Sequence, residues 1–124
     1  MFTFASSEIE AQWDSLHPVL RAIVDDFGHW SSTERLPIPV ITCLGRSVEE
    51  NRKIYGKDKF SWHIPDLKTG VIRAMDLRTK HYTSEQVAKV FGWFHERCPD
   101  VHQFELITKV HGTGPHIHLA IREH

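Results

Sequence analysis

Residues 114–122 of the chain read Gly-Pro-His-Ile-His-Leu-Ala-Ile-Arg. Apolar side chains alternate with the others from residue 116 onwards, which predicts a β-strand with one apolar face. His116 and His118 leave the opposite face of that strand, about 7 Å apart along the backbone. This spacing is typical of a metal site. The alternative interpretation is two exposed histidines on an edge strand.

An upstream pair of segments favours the metal site. Residues 61–63 read Ser-Trp-His, and residues 74–76, on a second predicted strand, read Ala-Met-Asp. Two histidines and one aspartate form a ligand set suited to zinc with an open fourth coordination position. We therefore predict a zinc site that draws its ligands from these segments and from the His-x-His strand.

The composition of the 124 residues limits the classes of function. Hydrophobic residues make up 40% of the chain, which is enough for one core and predicts one domain over residues 1–124. Lys and Arg number 15 against 16 Asp and Glu, so no positive excess favours nucleic acid or an anionic membrane as a partner. The 10 histidines are the compositional anomaly.

The sequence predicts synthesis in the cytoplasm without a signal peptide. The first residues, Met-Phe-Thr-Phe-Ala-Ser-Ser-Glu, lack a basic region followed by an apolar run, and no stretch approaches the roughly 18 apolar residues of a membrane span. Because Cys43 and Cys98 are the only cysteines, we expect neither a disulfide scaffold nor a Cys-x-x-Cys zinc site.

Helix signals flank the predicted strands. Four helix starts carry a capping pattern or a proline in the first turn: Ser7-x-x-Glu10, Pro18, Ser47-x-x-Glu50 and Thr83-x-x-Gln86. Three helix ends are marked by a glycine or a following proline: Gly28, Gly56 and Pro99.

We predict an α+β fold with a small antiparallel sheet of about four strands, near residues 38–44, 71–78, 103–111 and 116–122. The helices are expected on one face of the sheet and the zinc cleft on the other.

The last two strands are expected to form a hairpin. If His111 pairs with His116, both strands direct their apolar side chains to the same side. This register places His111 beside His116 and His118, and it leaves Glu105 near the far end of the hairpin.

The order of the motifs resembles a known family. Residues 41–51 read Ile-Thr-Cys-Leu-Gly-Arg-Ser-Val-Glu-Glu-Asn, and they are followed by Ser61-x-His63, by Gly-Val-x-x-Ala-x-Asp-Leu over residues 70–77, and by His116-x-His118. Together these motifs resemble the zinc D-Ala-D-Ala peptidase family, which shares its fold and metal site with the hedgehog signalling domain and includes phage L-alanyl-D-glutamate endolysins. The resemblance covers roughly residues 38–122.

The resemblance implies roles for five residues. His63, Asp76 and His118 would be the zinc ligands, Arg46 would bind or polarise the substrate carbonyl, and Ser61 would support the His63 loop and contact substrate. The alternatives are a surface salt bridge for Arg46, an ordinary loop serine for Ser61 and an exposed polar residue in a strand for Asp76.

Two features depart from the family pattern. The family usually places its first histidine and its aspartate seven positions apart, whereas thirteen separate His63 from Asp76, so we expect an extended loop over residues 64–70. Pro115 occupies the position where many members carry the general-base glutamate. We therefore expect a histidine as the base, His116 first and His111 second.

The resemblance implies a monomeric zinc peptidase that hydrolyses peptidoglycan stem peptides, as a phage endolysin or a related cell-wall hydrolase. Lacking a wall-binding domain and a signal, it would depend on another protein to reach the wall. The missing glutamate favours an alternative, a non-hydrolytic zinc-binding domain with a structural or recognition role. A rolling-circle nuclease is disfavoured because its nucleophilic tyrosine would lie on a later helix, and only six residues follow His118.

Overall fold

A five-stranded mixed sheet organises the protein, whose computed structural model describes residues 1–109 and 114–123. Its strands are β1 (Thr3–Phe4), β2 (Val40–Cys43), β3 (Ala74–Arg78), β4 (Phe104–Lys109) and β5 (His116–Ile121). Their order across the sheet is β1-β2-β3-β5-β4. β1 runs parallel to β2, and the other neighbours are antiparallel. The α+β class predicted from the sequence is confirmed.

The prediction of a purely antiparallel sheet of about four strands is wrong because of β1. Thr3 donates a backbone hydrogen bond to Pro39 at 2.8 Å, and Ala5 donates one to Ile41 at 2.9 Å, which adds a fifth strand at the β2 edge. A two-residue strand is too short for its alternation to appear in the sequence. The other four strands lie within their predicted ranges as far as the structure describes them, and β2, β3 and β5 are shorter than predicted.

In the described part of the chain, four α-helices accompany the sheet: α1 (Ser7–Glu10), α2 (Pro18–Thr33), α3 (Val48–Tyr55) and α4 (Ser84–Arg97). The capping boxes at Ser47 and Thr83 are confirmed, and so is the left-handed Gly56 that ends α3. The first cap is shifted by one residue, since the Ser6 side chain accepts the hydrogen bond from the Ile9 N–H. Within the described ranges, no helix combines the length and apolar character needed to cross a membrane.

Gly28 does not end α2 as predicted, because the helix continues to Thr33. A Cβ atom at Gly28 would lie 3.2 Å from Cδ1 of Phe2 and 3.3 Å from the carbonyl oxygen of Met1. The glycine therefore allows the N-terminal segment to pack closely against the helix.

The main core lies on one face of the sheet. Ile117, Leu119 and Ile121 point into it from β5, as their alternation predicts. Phe27 of α2 and Phe94 of α4 meet within this core, with ring centroids 4.6 Å apart. α2 and α4 thus cover the apolar face of the sheet.

The other sheet face carries the polar side chains, and α3 lies at its border. Ile54 and Tyr55 of α3 line the same cleft as Asp76 and His118. The prediction that all helices pack on the face opposite the cleft is therefore wrong for α3.

β4 and β5 pair two residues out of step with the predicted register. Lys109 lies opposite His116, where His111 was predicted. Alternation does not distinguish the two registers, because a shift of two residues returns every side chain to the same face. The observed register moves Glu105 towards His118. His111 itself lies outside the described residues.

Leu119→Ala should lower the free energy of unfolding by about 2–5 kcal/mol, because it leaves a cavity in the core. Leu119 is fully buried, whereas Leu67 is 96% exposed. Leu67→Ala is the matched control and should change stability by less than about 0.5 kcal/mol. Urea unfolding with a metal chelator present measures both variants, and equal losses would contradict the placement of β5.

Candidate metal centre

Three neighbouring strands place a thiol, a carboxylate and an imidazole in one row. Cys43 of β2 pairs with Asp76 of β3, and Asp76 pairs with His118 of β5. An irregularity in β2 between Ile41 and Cys43 shifts the pairing and brings Cys43 opposite Asp76. Asp76 therefore lies at the middle of the row.

His63 reaches this row from the segment between α3 and β3. Its carbonyl oxygen accepts a hydrogen bond from the Arg46 backbone N–H at 2.9 Å, next to the end of β2. Its own N–H donates to the Ser61 hydroxyl at 3.2 Å. The first bond attaches the His63 backbone to the segment that follows β2, and the second fixes the loop around His63, whose buried ring meets Asp76.

Two imidazole nitrogens meet at one carboxylate oxygen. Nε2 of His63 lies 3.1 Å from Oδ1 of Asp76, and Nδ1 of His118 lies 2.9 Å from the same oxygen. All three side chains are at most 4% exposed. Ligands at roughly 2.0–2.2 Å from a tetrahedral zinc ion are about 3.3 Å apart. Both separations are therefore close to those of zinc ligands.

The outer nitrogen of each ring already has a hydrogen-bond acceptor. Nδ1 of His63 donates to the Leu44 carbonyl oxygen at 2.6 Å, and Nε2 of His118 donates to Oε1 of Glu105 at 2.8 Å. A neutral imidazole that donates from one nitrogen presents a lone pair at the other. Both lone pairs would then face the Asp76 carboxylate, which is favourable only with a shared cation or with a proton on each ring. The donor set thus fits a divalent metal ion.

The same contacts shift the pKa of His63 and Asp76 in opposite directions. Burial alone would lower the pKa of His63, but the Asp76 charge and hydrogen bond outweigh burial and raise it. Burial alone would raise the pKa of Asp76, but His63 and His118 hold it well below its usual range. Without metal, His63 and Asp76 are therefore an ion pair at neutral pH.

Cys43, His63 and Asp76 lie close enough to bind a metal ion, with one ligand atom of each within 4.8 Å of the others. The Cys43 thiol lies 3.5 Å from Nδ1 of His63, which is the nitrogen that faces the Leu44 carbonyl. His118 contacts the Asp76 oxygen directly, at 2.9 Å. Among the described residues, Cys43, His63 and Asp76 are the group whose ligand atoms all lie within 4.8 Å of one another, and His118 adds a further imidazole at the same carboxylate oxygen.

His116 lies on the other side of the same carboxylate. Its Nε2 is 3.6 Å from Oδ2 of Asp76, and its Nδ1 donates to the Gly114 carbonyl oxygen at 2.8 Å. The residue is buried at the inner wall of the cleft. His116, the first histidine of the His-x-His pair, is thus near Asp76 without touching the oxygen that His63 and His118 share.

Arg46 is held in place beside the centre. Its Nη1 donates to Oδ1 of the buried Asn51 at 3.0 Å, and its Nη2 lies 3.6 Å from the Cys43 sulfur. Asn51 also donates to the Lys59 carbonyl oxygen at 2.6 Å. Among the described residues Arg46 has no carboxylate partner, so the surface salt bridge considered as its alternative role is not formed.

The centre opens into a cleft of about 400 Å³. Three basic side chains line it: Arg46, Lys59 and Lys109. Phe60 and Trp62 lie at the same wall in an edge-to-face contact, with ring centroids 4.7 Å apart. A ligand in this cleft would meet positive charge and aromatic surface next to the centre.

Two neighbours of the centre escaped prediction, and the predicted loop between His63 and Asp76 contains a turn. Glu105 was placed too far away by the two-residue register error, and Cys43 is brought in by an irregularity with no sequence signal. Within residues 64–70, Gly70 donates to the Asp66 carbonyl oxygen at 2.8 Å, which makes the insertion a tight turn.

No protein-family model, curated protein or solved structure matches the chain.

The metal-free protein should be most stable between about pH 4 and 6.5. Above about pH 6.5, folded His63 keeps a proton that the unfolded chain releases, so stability falls as pH rises. Below about pH 4, the unfolded chain takes up a proton that folded Asp76 resists, so stability falls again.

Urea unfolding with chelator across this pH range measures the effect. Asp76→Asn should flatten the fall above about pH 6.5, because it removes the charge that raises the pKa of His63. Asp14 is exposed, with only a 4.0 Å contact to Arg21, so Asp14→Asn should leave the profile unchanged. An unaltered alkaline fall in Asp76→Asn would contradict the ion pair.

Proposed function

We propose that this protein is a zinc-dependent peptidase with the hedgehog/D-Ala-D-Ala peptidase fold. Its substrates would be peptidoglycan stem peptides, and its biological role that of a phage endolysin or a related cell-wall hydrolase. The observation that carries the proposal is the meeting of Nε2 of His63 and Nδ1 of His118 at Oδ1 of Asp76, beside an open cleft. The resemblance of the sequence motifs supplies the substrate class.

His63, Asp76 and His118 would hold the zinc ion through these three atoms. Zinc, when bound, supplies a Lewis acid that polarises a peptide carbonyl and makes water a better nucleophile. The Leu44 carbonyl and the Glu105 carboxylate orient the two rings from behind.

His116 is the proposed general base. Because its Nδ1 donates to the Gly114 carbonyl, the neutral ring presents a lone pair at Nε2. That nitrogen lies on the Asp76 side of the ring, 3.6 Å from Oδ2. A proton accepted there from the attacking water would give an imidazolium ion next to a carboxylate, which stabilises it.

The basic side chains of the cleft suit an anionic peptide. Arg46, held by Asn51, would hydrogen bond the carbonyl oxygen as negative charge develops on it. Lys59 and Lys109 line the same cleft and would attract the carboxylates of a stem peptide. Ser61 would contact the substrate from the cleft wall while its hydroxyl accepts from the His63 N–H.

A second candidate function is metal binding without hydrolysis, in a structural or recognition role. Pro115 supplies no carboxylate, and its carbonyl oxygen accepts a hydrogen bond from the Thr79 N–H at 3.1 Å. Among the described residues that line the cleft, both carboxylates, Asp76 and Glu105, are engaged by imidazoles. This candidate depends on His116 being unable to act as the base.

Wall hydrolysis separates the two functions. Zinc-loaded protein should reduce the turbidity of outer-membrane-permeabilised cells and release peptide fragments from purified peptidoglycan. His63→Ala is the matched inactive variant, since it removes a ligand. Stoichiometric zinc binding with intact walls would favour the non-hydrolytic function.

Replacing any of His63, His118 and Asp76 with Ala should abolish zinc retention, because two ligands are too few for a stable site. His29 and His102 are exposed, and their Ala variants should retain stoichiometric zinc. Metal analysis of the purified variants tests the assignment. Full zinc occupancy in Asp76→Ala, or its retention in His118→Ala together with its loss in Cys43→Ala, would replace the proposed ligand set.

His116→Ala should retain zinc and lose about two to four orders of magnitude in turnover, the usual contribution of a positioned base. The comparison is made on the same peptidoglycan fragments with zinc occupancy measured in parallel. Full turnover in His116→Ala would disprove this base, and His111→Ala is then the next variant to measure.

A further inference from the structure

The Glu105 carboxylate contacts two side chains, one from His118 of β5 and one from Arg122, which follows β5 directly. Oε1 of Glu105 accepts the hydrogen bond from Nε2 of His118 at 2.8 Å, and Oε2 lies 3.4 Å from Nη2 of Arg122. Glu105 itself pairs with Ala120 across the β4–β5 ladder, which places it between the two. Both of its oxygens are therefore engaged.

An imidazole binds a metal ion only through a nitrogen that carries a lone pair. For His118 this nitrogen must be Nδ1, because Nδ1 is the atom that faces Oδ1 of Asp76. A carboxylate acceptor at Nε2 selects the ring form with the proton on Nε2 and the lone pair on Nδ1. It also resists rotation of the ring, which would exchange the two nitrogens.

The Leu44 carbonyl fulfils the same requirement for His63, with Nδ1 donating and Nε2 facing Asp76. The two rings are thus held by different acceptors: the Leu44 carbonyl at Nδ1 leaves Nε2 of His63 facing Asp76, and Glu105 at Nε2 leaves Nδ1 of His118 facing it. A backbone carbonyl cannot be removed by substitution, but a glutamate side chain can. Glu105 is therefore the residue through which this orientation can be tested.

We propose that Glu105 is the positioning residue of the metal centre, which holds His118 with Nδ1 directed at the ion. The inference rests on the proposed function in taking zinc as that ion. It assigns Glu105 no proton transfer from water, because Oε1 is bonded to a ring nitrogen on the side away from Asp76 and Oε2 faces a guanidinium. Arg122 helps to hold the carboxylate in place through its contact with Oε2.

The test compares zinc affinity with turnover. Zinc dissociation constants are measured by competition with a coloured chelator at neutral pH for wild type, Glu105→Gln, Glu105→Ala and the exposed control Glu96→Gln. Glu105→Ala should bind zinc about 10–100-fold more weakly. Glu105→Gln should lose less, since its amide oxygen still accepts from Nε2. Glu96→Gln should bind as wild type does.

Turnover at saturating zinc should recover to within about tenfold of wild type in Glu105→Gln, since a positioning residue acts through metal occupancy, whereas a lost base costs 10²–10⁴-fold. Long-range ¹H–¹⁵N spectra of the His118 ring provide a readout independent of activity. They should show a proton on Nε2 in wild type and a mixture of ring forms in metal-free Glu105→Ala. Circular dichroism checks that each variant is folded.

Two results would overturn the inference. One is zinc affinity in Glu105→Ala within about twofold of wild type, well short of the loss expected from removing an acceptor behind a ligand. The other is unchanged affinity in Glu105→Gln with turnover reduced 10²–10⁴-fold, which identifies Glu105 as the base. If wild type binds no zinc, the proposed function fails, and the ring spectra of the metal-free variants still decide whether Glu105 orients His118.

Discussion

The charge of Asp76 is the constraint on which the centre depends. The side chain lies in the middle of the sheet and is 4% exposed, so an unpaired carboxylate there would cost several kcal/mol. Its partners come from different parts of the chain: His63 from a loop, and His116 and His118 from β5. The buried carboxylate is stable only when these segments are assembled, which couples the fold of the open sheet face to the centre.

One face of the sheet packs the core, and the other carries the polar side chains of the metal centre. On the core face, Leu119 and its neighbours are covered by α2 and α4, which holds the strands rigidly. On the other face, residues 59–63 and the last residues of the capped α3 line the cleft beside Asp76. Side chains one residue apart on β5 therefore serve different purposes, and the rigid face fixes the geometry of the reactive one.

The features that could be predicted from the sequence are those that depend on residues close together in the chain. Alternation along residues 114–122 located β5 and its two faces, and the Ser47 and Thr83 capping boxes located α3 and α4, because each pattern acts within a few residues. The remaining features depend on distant segments. The glycine at position 28 is explained by the close packing of Met1 and Phe2 against α2. The position of Glu105 beside His118 depends on the β4–β5 register, which alternation does not determine. The motif resemblance brought His63, Asp76 and His118 together as candidates, whereas their orienting partners required coordinates.

The His-x-His spacing also bears on the register of β5 against β3. If β5 slipped by two residues against β3, the same apolar face would be buried and His116 would lie opposite Asp76 in place of His118. In that register the buried carboxylate would still face an imidazole. It would lack the His118 contact with Asp76 and with it the pair of rings on one oxygen. The contact of both rings with Oδ1 of Asp76 therefore distinguishes the native register from this alternative, which alternation alone does not.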